Sequence, residues 1–91
     1  KSVLTSLNLL ANKIGDEGAK AIGDALRVNG VLTSLNLFGN QIGVEGGKAI
    51  AAALHVNSAL TSLNLKYNDI GDGKAALREI AKDRPSLTIE L

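Results

Sequence analysis

The sequence predicts an α/β solenoid, in which short parallel strands line one face and helices line the other. The main support is a repeat: residues 31–58 align with residues 3–30 without a gap, and 19 of the 28 positions are identical. A third copy begins at Ala59 and loses one residue after Gly71. Since such repeats bury their apolar side chains only by stacking, we expect a single domain, 1–91, with repeats 3–30, 31–58 and 59–91.

The first part of each repeat has the pattern of a short strand. In repeat 1, Leu4, Leu7 and Leu9 are separated by Thr, Ser and Asn side chains. Apolar residues that alternate with polar ones predict a strand with one buried face. The corresponding segments of the three repeats are therefore expected to lie side by side in one sheet.

The second part of each repeat has the pattern of a helix of about three turns with one buried stripe. Three small or apolar residues of repeat 1 recur at a spacing of four: Gly18, Ile22 and Leu26. We expect Asp16 and Asp72 to be N-caps, whose carboxylates accept hydrogen bonds from free backbone N–H groups of their own helices. Val44 stands at the same position in repeat 2 and has no acceptor. The helix of repeat 2 is therefore predicted to have the weakest start, by about 1 kcal/mol.

The two ends of the chain differ in polarity. Repeat 3 has the polar segment 82–85 at its helix exit and then an alternating apolar pattern, which predicts a last strand and a polar C-terminal cap. No polar segment covers the first repeat, so we expect a further repeat or another chain to cover that face. The residues predicted to mediate self-association there are apolar: Val3, Leu4 and Leu7.

Composition argues against several classes of function. The net charge is +1 and the charged residues are scattered, so we expect no nucleic-acid partner. No stretch approaches the roughly 18 apolar residues that cross a bilayer, so we expect no membrane partner. The absence of cysteine favours a reducing compartment, and we expect the chain to be cytoplasmic.

No pattern in the sequence predicts catalysis, a cofactor or a metal site. His55 is the only histidine, and its counterpart in repeat 1 is Arg27, which indicates a solvent-facing helix residue and not a general base. Asn68 to Glu79 partly matches a calcium-binding loop, but its third position is the apolar Ile70. We therefore expect a protein that is not an enzyme.

The motif Leu-x-x-Leu-x-Leu-x-x-Asn-x-Ile-Gly, followed by Gly-x-x-x-Ile-x-x-x-Leu, resembles the leucine-rich repeat of the ribonuclease-inhibitor type. It is also similar to the repeat arrays of NOD-like receptors. The resemblance implies a horseshoe segment with parallel strands on the concave face, helices on the convex face and a protein partner. It also implies that one row of side chains forms a structural hydrogen-bond ladder: Asn12, Asn40 and Asn68. Ribonuclease inhibitor itself is rich in cysteine, so its particular activity is not expected here.

The candidate partner-binding residues lie where the outward rows of the concave face vary. Two rows are uniform, the serine row (6, 34, 62) and the asparagine row (8, 36, 64), whereas the third row (10, 38, 66) and the adjoining loop row (11, 39, 67) differ between repeats. The predicted partner-binding residues are these: Leu10, Phe38, Lys66, Tyr67, Asn8, Asn36 and Asn64. Exposed aromatic side chains are typical of binding hot spots, although these two could instead cover the edge of the sheet. A second candidate surface is the convex face around Ala51 and Ala52.

Two functions follow from these patterns. The first is a non-enzymatic scaffold or sensor segment that binds a protein, so far unidentified, on its concave face. The alternative is a structural or engineered repeat fragment that forms a homodimer through the first repeat.

Overall fold

Strands and helices alternate along the chain as the repeat predicts. A computed structural model describes residues 4–91. The elements are β1 (Ser6–Asn8), α1 (Gly15–Val28), β2 (Ser34–Asn36), α2 (Val44–Val56), β3 (Ser62–Asn64), α3 (Gly73–Asp83) and β4 (Thr88–Glu90). The four strands form one parallel sheet in the order β1-β2-β3-β4, and neighbouring helices pack against each other. The predicted α/β solenoid is therefore confirmed.

Strand register follows the repeat without a shift. Ser6 lies opposite Ser34, and Ser34 lies opposite Ser62. One central apolar row therefore runs through the whole sheet: Leu7, Leu35, Leu63 and Ile89. A shift of one residue would move this row to the opposite face, so burial of the row fixes the register.

The best-buried core lies in repeats 2 and 3. Its largest side chains are fully enclosed: Leu35, Leu37, Ile42, Ile50, Leu54, Leu60, Leu63, Leu65, Ile70 and Leu77. The corresponding side chains of repeat 1 are only partly buried: Leu7, Leu9, Ile14 and Ile22. Repeat 1 is less buried because no element of residues 4–91 packs against its outer side.

The helix starts differ from the sequence prediction. The N-cap of α1 is Ile14, and Asp16 is the second residue of that helix. Asp16 Oδ1 instead accepts hydrogen bonds from Gly43 N at 2.6 Å and Gly46 N at 2.9 Å, which belong to the start of α2. The prediction that Asp16 caps its own helix is wrong. The prediction that α2 has the weakest start is also wrong, because repeat 1 supplies its cap.

The third helix, like α1, begins without a side-chain cap. Asp72 is the N-cap residue of α3, as predicted, but its backbone is helical and its side chain makes no capping hydrogen bond. Val44 occupies in repeat 2 the position from which Asp16 caps the next helix. The replacement of aspartate by Val44 therefore removes a cap from α3 and not from α2.

No helix within residues 4–91 combines the length and the apolar composition that a membrane crossing requires.

Candidate functional site

The predicted asparagine row of the concave face closes the turns that follow the strands. Asn8 Oδ1 accepts a hydrogen bond from Leu10 N, and the same bond recurs between Asn36 and Phe38 and between Asn64 and Lys66, each at 3.0 Å. These are side-chain turns that asparagine favours, because its amide oxygen reaches the backbone two residues ahead. The oxygens are thus used by the fold, and within residues 4–91 the amide nitrogens of this row donate no hydrogen bond.

The variable row lies on loops that are connected from one repeat to the next. Ala11 N donates to Phe38 O, and Gly39 N donates to Lys66 O, both at 3.0 Å. These bonds continue the ladder of the sheet beyond the ends of the strands. The loops that carry Leu10, Phe38 and Lys66 are therefore held at fixed relative positions before any partner arrives.

The structure brings the two aromatic residues of the chain into contact. The ring centroids of Phe38 and Tyr67 are 4.8 Å apart and the ring planes meet at 51°. Tilted pairs at this distance contribute about 0.5–1.5 kcal/mol beyond the area that they bury. Phe38 is half-buried, whereas Tyr67 remains 78% exposed. The pair therefore forms an aromatic patch whose outer ring is open to solvent.

Tyr67 has a backbone conformation that does not suit its side chain. Its φ is +59°, and the same loop position has φ +65° at Gly39 and +54° at Ala11. The left-handed region costs a residue with a bulky side chain about 1–2 kcal/mol relative to glycine, which adopts it freely. Repeat 3 thus carries a large, exposed ring at a position where glycine would fold with less strain. Such strain is often concentrated at functional positions.

Leu10 extends the patch into repeat 1 and Lys66 adds a charge beside it. Leu10 is 49% exposed, which is high for a side chain of this size. Lys66 is exposed next to Tyr67 in the chain. We call Leu10, Phe38, Lys66 and Tyr67 the concave patch.

Asn40 and Asn68 link neighbouring repeats through their amide groups. Asn68 Oδ1 accepts from Asn40 N at 2.9 Å and from Ile42 N at 3.0 Å, while its Nδ2 donates to Leu37 O at 2.9 Å. Asn40 bonds repeat 1 in the same way, accepting from Asn12 N and donating to Leu9 O. Asn12 is exposed, and the hydrogen bond of its amide within residues 4–91 is local, to Leu10 O at 3.2 Å.

A second ladder at the helix exits was missed in the sequence. Asn57 Nδ2 donates to Leu26 O at 2.8 Å and to Asn29 O at 2.9 Å, and the side chain is 4% exposed. In repeat 3 the guanidinium of Arg84 takes this place and donates to Leu54 O. The identity of Asn29 and Asn57 at one repeat position was the available signal. Arg84 could not be aligned with them by residue type.

The predicted self-association residues lie beside an apolar pocket. Leu4 is 60% exposed and Leu7 is half-buried, whereas Val3 lies outside the described residues. The pocket has a volume of about 130 Å³ and a mostly apolar lining: Leu4, Leu7, Ile22, Ala25, Leu26, Asn29, Leu32 and Leu35. β1 is the edge strand on this side of the sheet. This surface is separate from the concave patch.

The second candidate surface, around Ala51 and Ala52 on the convex face, is only partly exposed to solvent. Ala51 is buried in the core and only Ala52 is exposed, so the proposal that both form a surface is wrong for Ala51. Its counterpart Gly23 shows why a small residue is needed, since a Cβ there would lie 3.1 Å from Ala49 O of the next helix. His55 is exposed at the end of α2. Within residues 4–91, no three His, Cys, Asp or Glu side chains are grouped to hold a metal ion.

Comparisons with known proteins agree with this architecture. A family model described as leucine-rich repeat matches residues 1–23, 28–51 and 56–73. A solved structure titled "Leiomodin-1 Actin-Binding Site 2 (ABS2)" is similar over 94% of this chain, with 30% sequence identity and a TM-score of 0.83. The match covers 51% of that structure, so the chain spans about half the length of this relative. A search of curated proteins found no match.

The family match covers most of the chain, and each of its three segments contains one strand, one asparagine of the ladder and the start of the helix that follows. The chain belongs to the leucine-rich repeat family.

Proposed function

We propose that the chain is a protein-interaction scaffold that binds its partner through the concave patch. One observation carries the proposal: the Phe38–Tyr67 pair presents an exposed aromatic ring on a strained loop that its neighbours hold in place. Aromatic side chains dominate binding hot spots because they bury a large area with few rotatable bonds. Neither ring fills the core between the repeats.

The composition of the patch indicates the chemistry of the partner. Leu10 and the two rings suit an apolar or aromatic side chain, and Lys66 suits a carboxylate beside it. The Asn8, Asn36 and Asn64 row offers amide donors for backbone carbonyl groups of the partner. The partner is therefore an apolar segment with an acidic residue at its edge.

Actin is the first defined protein to test, because the similar leiomodin structure is titled as an actin-binding site. Binding of purified actin should be measured with the chain, with Phe38→Ala combined with Tyr67→Ala, and with Arg78→Ala on the convex side as a matched control. We expect binding to the chain and the control and loss in the double variant. Equal binding by all three proteins would contradict the concave patch as the binding surface.

A chain that does not bind actin would exclude actin and leave the surface to be tested with other proteins. The same three proteins should then be used in parallel as affinity baits. The proposal requires at least one protein that is captured by the chain and by Arg78→Ala but not by the double variant, and that binds again after purification. Identical captures by all three baits would reject the concave patch.

Two finer assignments accompany this proposal. The period of 28 residues, with a full helix in each repeat, supports the ribonuclease-inhibitor type and the similarity to NOD-like receptor arrays. The lack of cysteine supports a cytoplasmic location.

Self-association is the second candidate function. The exposed Leu4, the apolar pocket beside it and the edge strand β1 favour a second copy of the chain as the occupant of this face. An edge strand offers unpaired backbone groups, and each large side chain that is covered contributes roughly 1.5–3 kcal/mol. In repeats 2 and 3 the corresponding face is covered by the preceding repeat. This packing supports the proposal that the same face of repeat 1 binds a repeat of a second copy.

A further inference from the structure

The connection between α1 and β2 contains a sequence with its own chemistry. Of the eight asparagines in the chain, only Asn29 is followed by glycine. Glycine has no side chain to hinder attack by its backbone nitrogen on the preceding amide carbon. Both Asn29 and Gly30 are exposed, and within residues 4–91 no atom of a residue other than Gly30 and its two chain neighbours lies within 4 Å of the position where a Gly30 Cβ would be. We propose that Asn29 is a site of spontaneous deamidation in the folded chain.

The turn polarises the amide that would react. Asn29 Oδ1 accepts hydrogen bonds from Val31 N at 2.9 Å and Leu32 N at 2.7 Å. Two backbone donors on this oxygen withdraw electrons from Cγ. They also stabilise the negative charge that the oxygen carries once a nucleophile has added, as donors do in an oxyanion hole.

The reaction uses water and needs no other co-reactant. Gly30 N loses its proton to hydroxide and attacks Asn29 Cγ, forming a carbon–nitrogen bond. The bond from Cγ to Nδ2 then breaks, and the nitrogen leaves with a proton from water as ammonia. Water opens the resulting five-membered succinimide at either carbonyl carbon and leaves aspartate or isoaspartate at position 29. One water is consumed and one ammonia is released, with no change of oxidation state.

Repeat 2 contains an internal control for this inference. Asn57 Oδ1 accepts from Ala59 N and Leu60 N at 3.0 Å, which is the same turn. However, Asn57 is buried and followed by Ser58, and its Nδ2 donates to Leu26 O and Asn29 O. Departure of that nitrogen would break both bonds inside the protein. Asn29 is exposed instead, and within residues 4–91 its Nδ2 donates no hydrogen bond.

Reaction at Asn29 changes the contact between two repeats. The carbonyl of Asn29 is one of the two acceptors for the buried Asn57 amide. Isoaspartate inserts one carbon into the backbone at this residue and displaces that carbonyl, whereas aspartate retains it. Because a buried amide that loses an acceptor is costly, isoaspartate weakens the stack between repeats 1 and 2.

The test is incubation of the purified, folded chain at mildly alkaline pH, followed by peptide mapping with mass spectrometry. We expect aspartate and isoaspartate at position 29, formed at least about tenfold faster than any product at Asn57, since two hydrogen bonds hold the Asn57 amide. Gly30→Ser, which gives Asn29 the Asn-Ser pair that Asn57 has in repeat 2, should suppress the reaction. Ser58→Gly should leave Asn57 slow because burial still protects it.

Two results would overturn the inference. One is an Asn29 that stays intact in the folded chain but reacts in the chain unfolded by denaturant, which would mean that the turn protects it. The other is an Asn57 that reacts as fast as Asn29 in Ser58→Gly, which would mean that burial has no effect. Circular dichroism of Gly30→Ser and Ser58→Gly before incubation checks that each variant is folded. Whether Asn29 reacts in the folded protein is decided by the unsubstituted chain alone, so that result does not depend on the folding of either variant.

Discussion

Asp16 Oδ1 lies 2.6 Å from Gly43 N, so a carboxylate of the first helix caps the start of the second. A Cβ on Gly46 would lie 2.6 Å from the same oxygen and 2.8 Å from the Ala19 Cβ, which explains why glycine stands at that position. The hydrogen bond joins residues that are 27 positions apart and connects α1 to the start of α2. It makes the start of α2 depend on the presence of repeat 1.

Asp16→Ala tests this cap. We expect a loss of about 0.5–2 kcal/mol in the free energy of unfolding, with faster amide hydrogen exchange at the start of α2 and not of α1. Asp72→Ala is the matched control, because its side chain makes no capping bond and its removal should change the stability by less than about 0.5 kcal/mol. Faster exchange at α1 in Asp16→Ala would show that the carboxylate acts on its own helix.

Leu35→Ala tests how strongly the free energy of unfolding of the three-repeat stack depends on its core. Leu35 is 2% exposed in the central strand, so truncation should cost about 2–5 kcal/mol and unfold most of the chain. Urea unfolding followed by circular dichroism measures the loss. Val28→Ala, on an exposed side chain, is the control and should leave the midpoint almost unchanged. A loss below about 1 kcal/mol in Leu35→Ala would contradict a continuous core through the three repeats.

Phe38→Ala combined with Leu10→Ala tests whether the concave patch is separate from the core. We expect partner binding to be lost while helix content and melting temperature remain nearly unchanged, because Leu10 and Phe38 lie outside the fully buried cluster. Circular dichroism and thermal unfolding provide the structural measurement. A large fall in melting temperature would show that the two side chains belong to the core and would remove them from the proposed site.

Tyr67→Gly separates binding from folding more sharply. Relief of left-handed strain, about 1–2 kcal/mol, opposes the lost ring contact of about 0.5–1.5 kcal/mol and the added entropy of the unfolded glycine chain. We therefore expect a stability within about 1 kcal/mol of the original and a large loss of partner binding. Tyr67→Phe keeps the ring and should keep most of the affinity. Unchanged affinity in Tyr67→Gly would contradict a role for the ring.

Sedimentation equilibrium tests self-association through the first repeat. The apparent mass should rise with concentration, because burial of several side chains such as Leu4, at roughly 1.5–3 kcal/mol each, offsets the roughly 4–15 kcal/mol that association costs. A polar capping repeat placed before Lys1 should abolish the rise, and Leu4→Asp should reduce it. A constant monomer mass, or a dimer that survives capping, would exclude this face.

The period, the order of strands and helices, and the side chains of the core could all be predicted from the amino-acid sequence. These features depend on spacing within one repeat, and identical copies can bury the same positions only by stacking in register. The row of Leu7, Leu35 and Leu63 is an example, because period-two burial leaves no other register for it. The turn-closing bond of asparagine is made in all three repeats, whereas within residues 4–91 the ladder bonds to a preceding repeat are made by Asn40 and Asn68.

The groups that meet across repeats could not be predicted from the sequence and depend on how the repeats stack. The Asp16 cap, the contact of Phe38 with Tyr67 and the substitution of Arg84 for asparagine all join residues 27 to 30 positions apart. Local propensity could not assign Asp16 to the next helix, because its reach depends on how closely α1 and α2 approach at Gly46. The strained φ of Tyr67 was equally hidden, since the loop position that glycine occupies in repeat 2 imposes it. The contacts between repeats are set by the distance between stacked repeats, which the spacing within a single repeat does not contain.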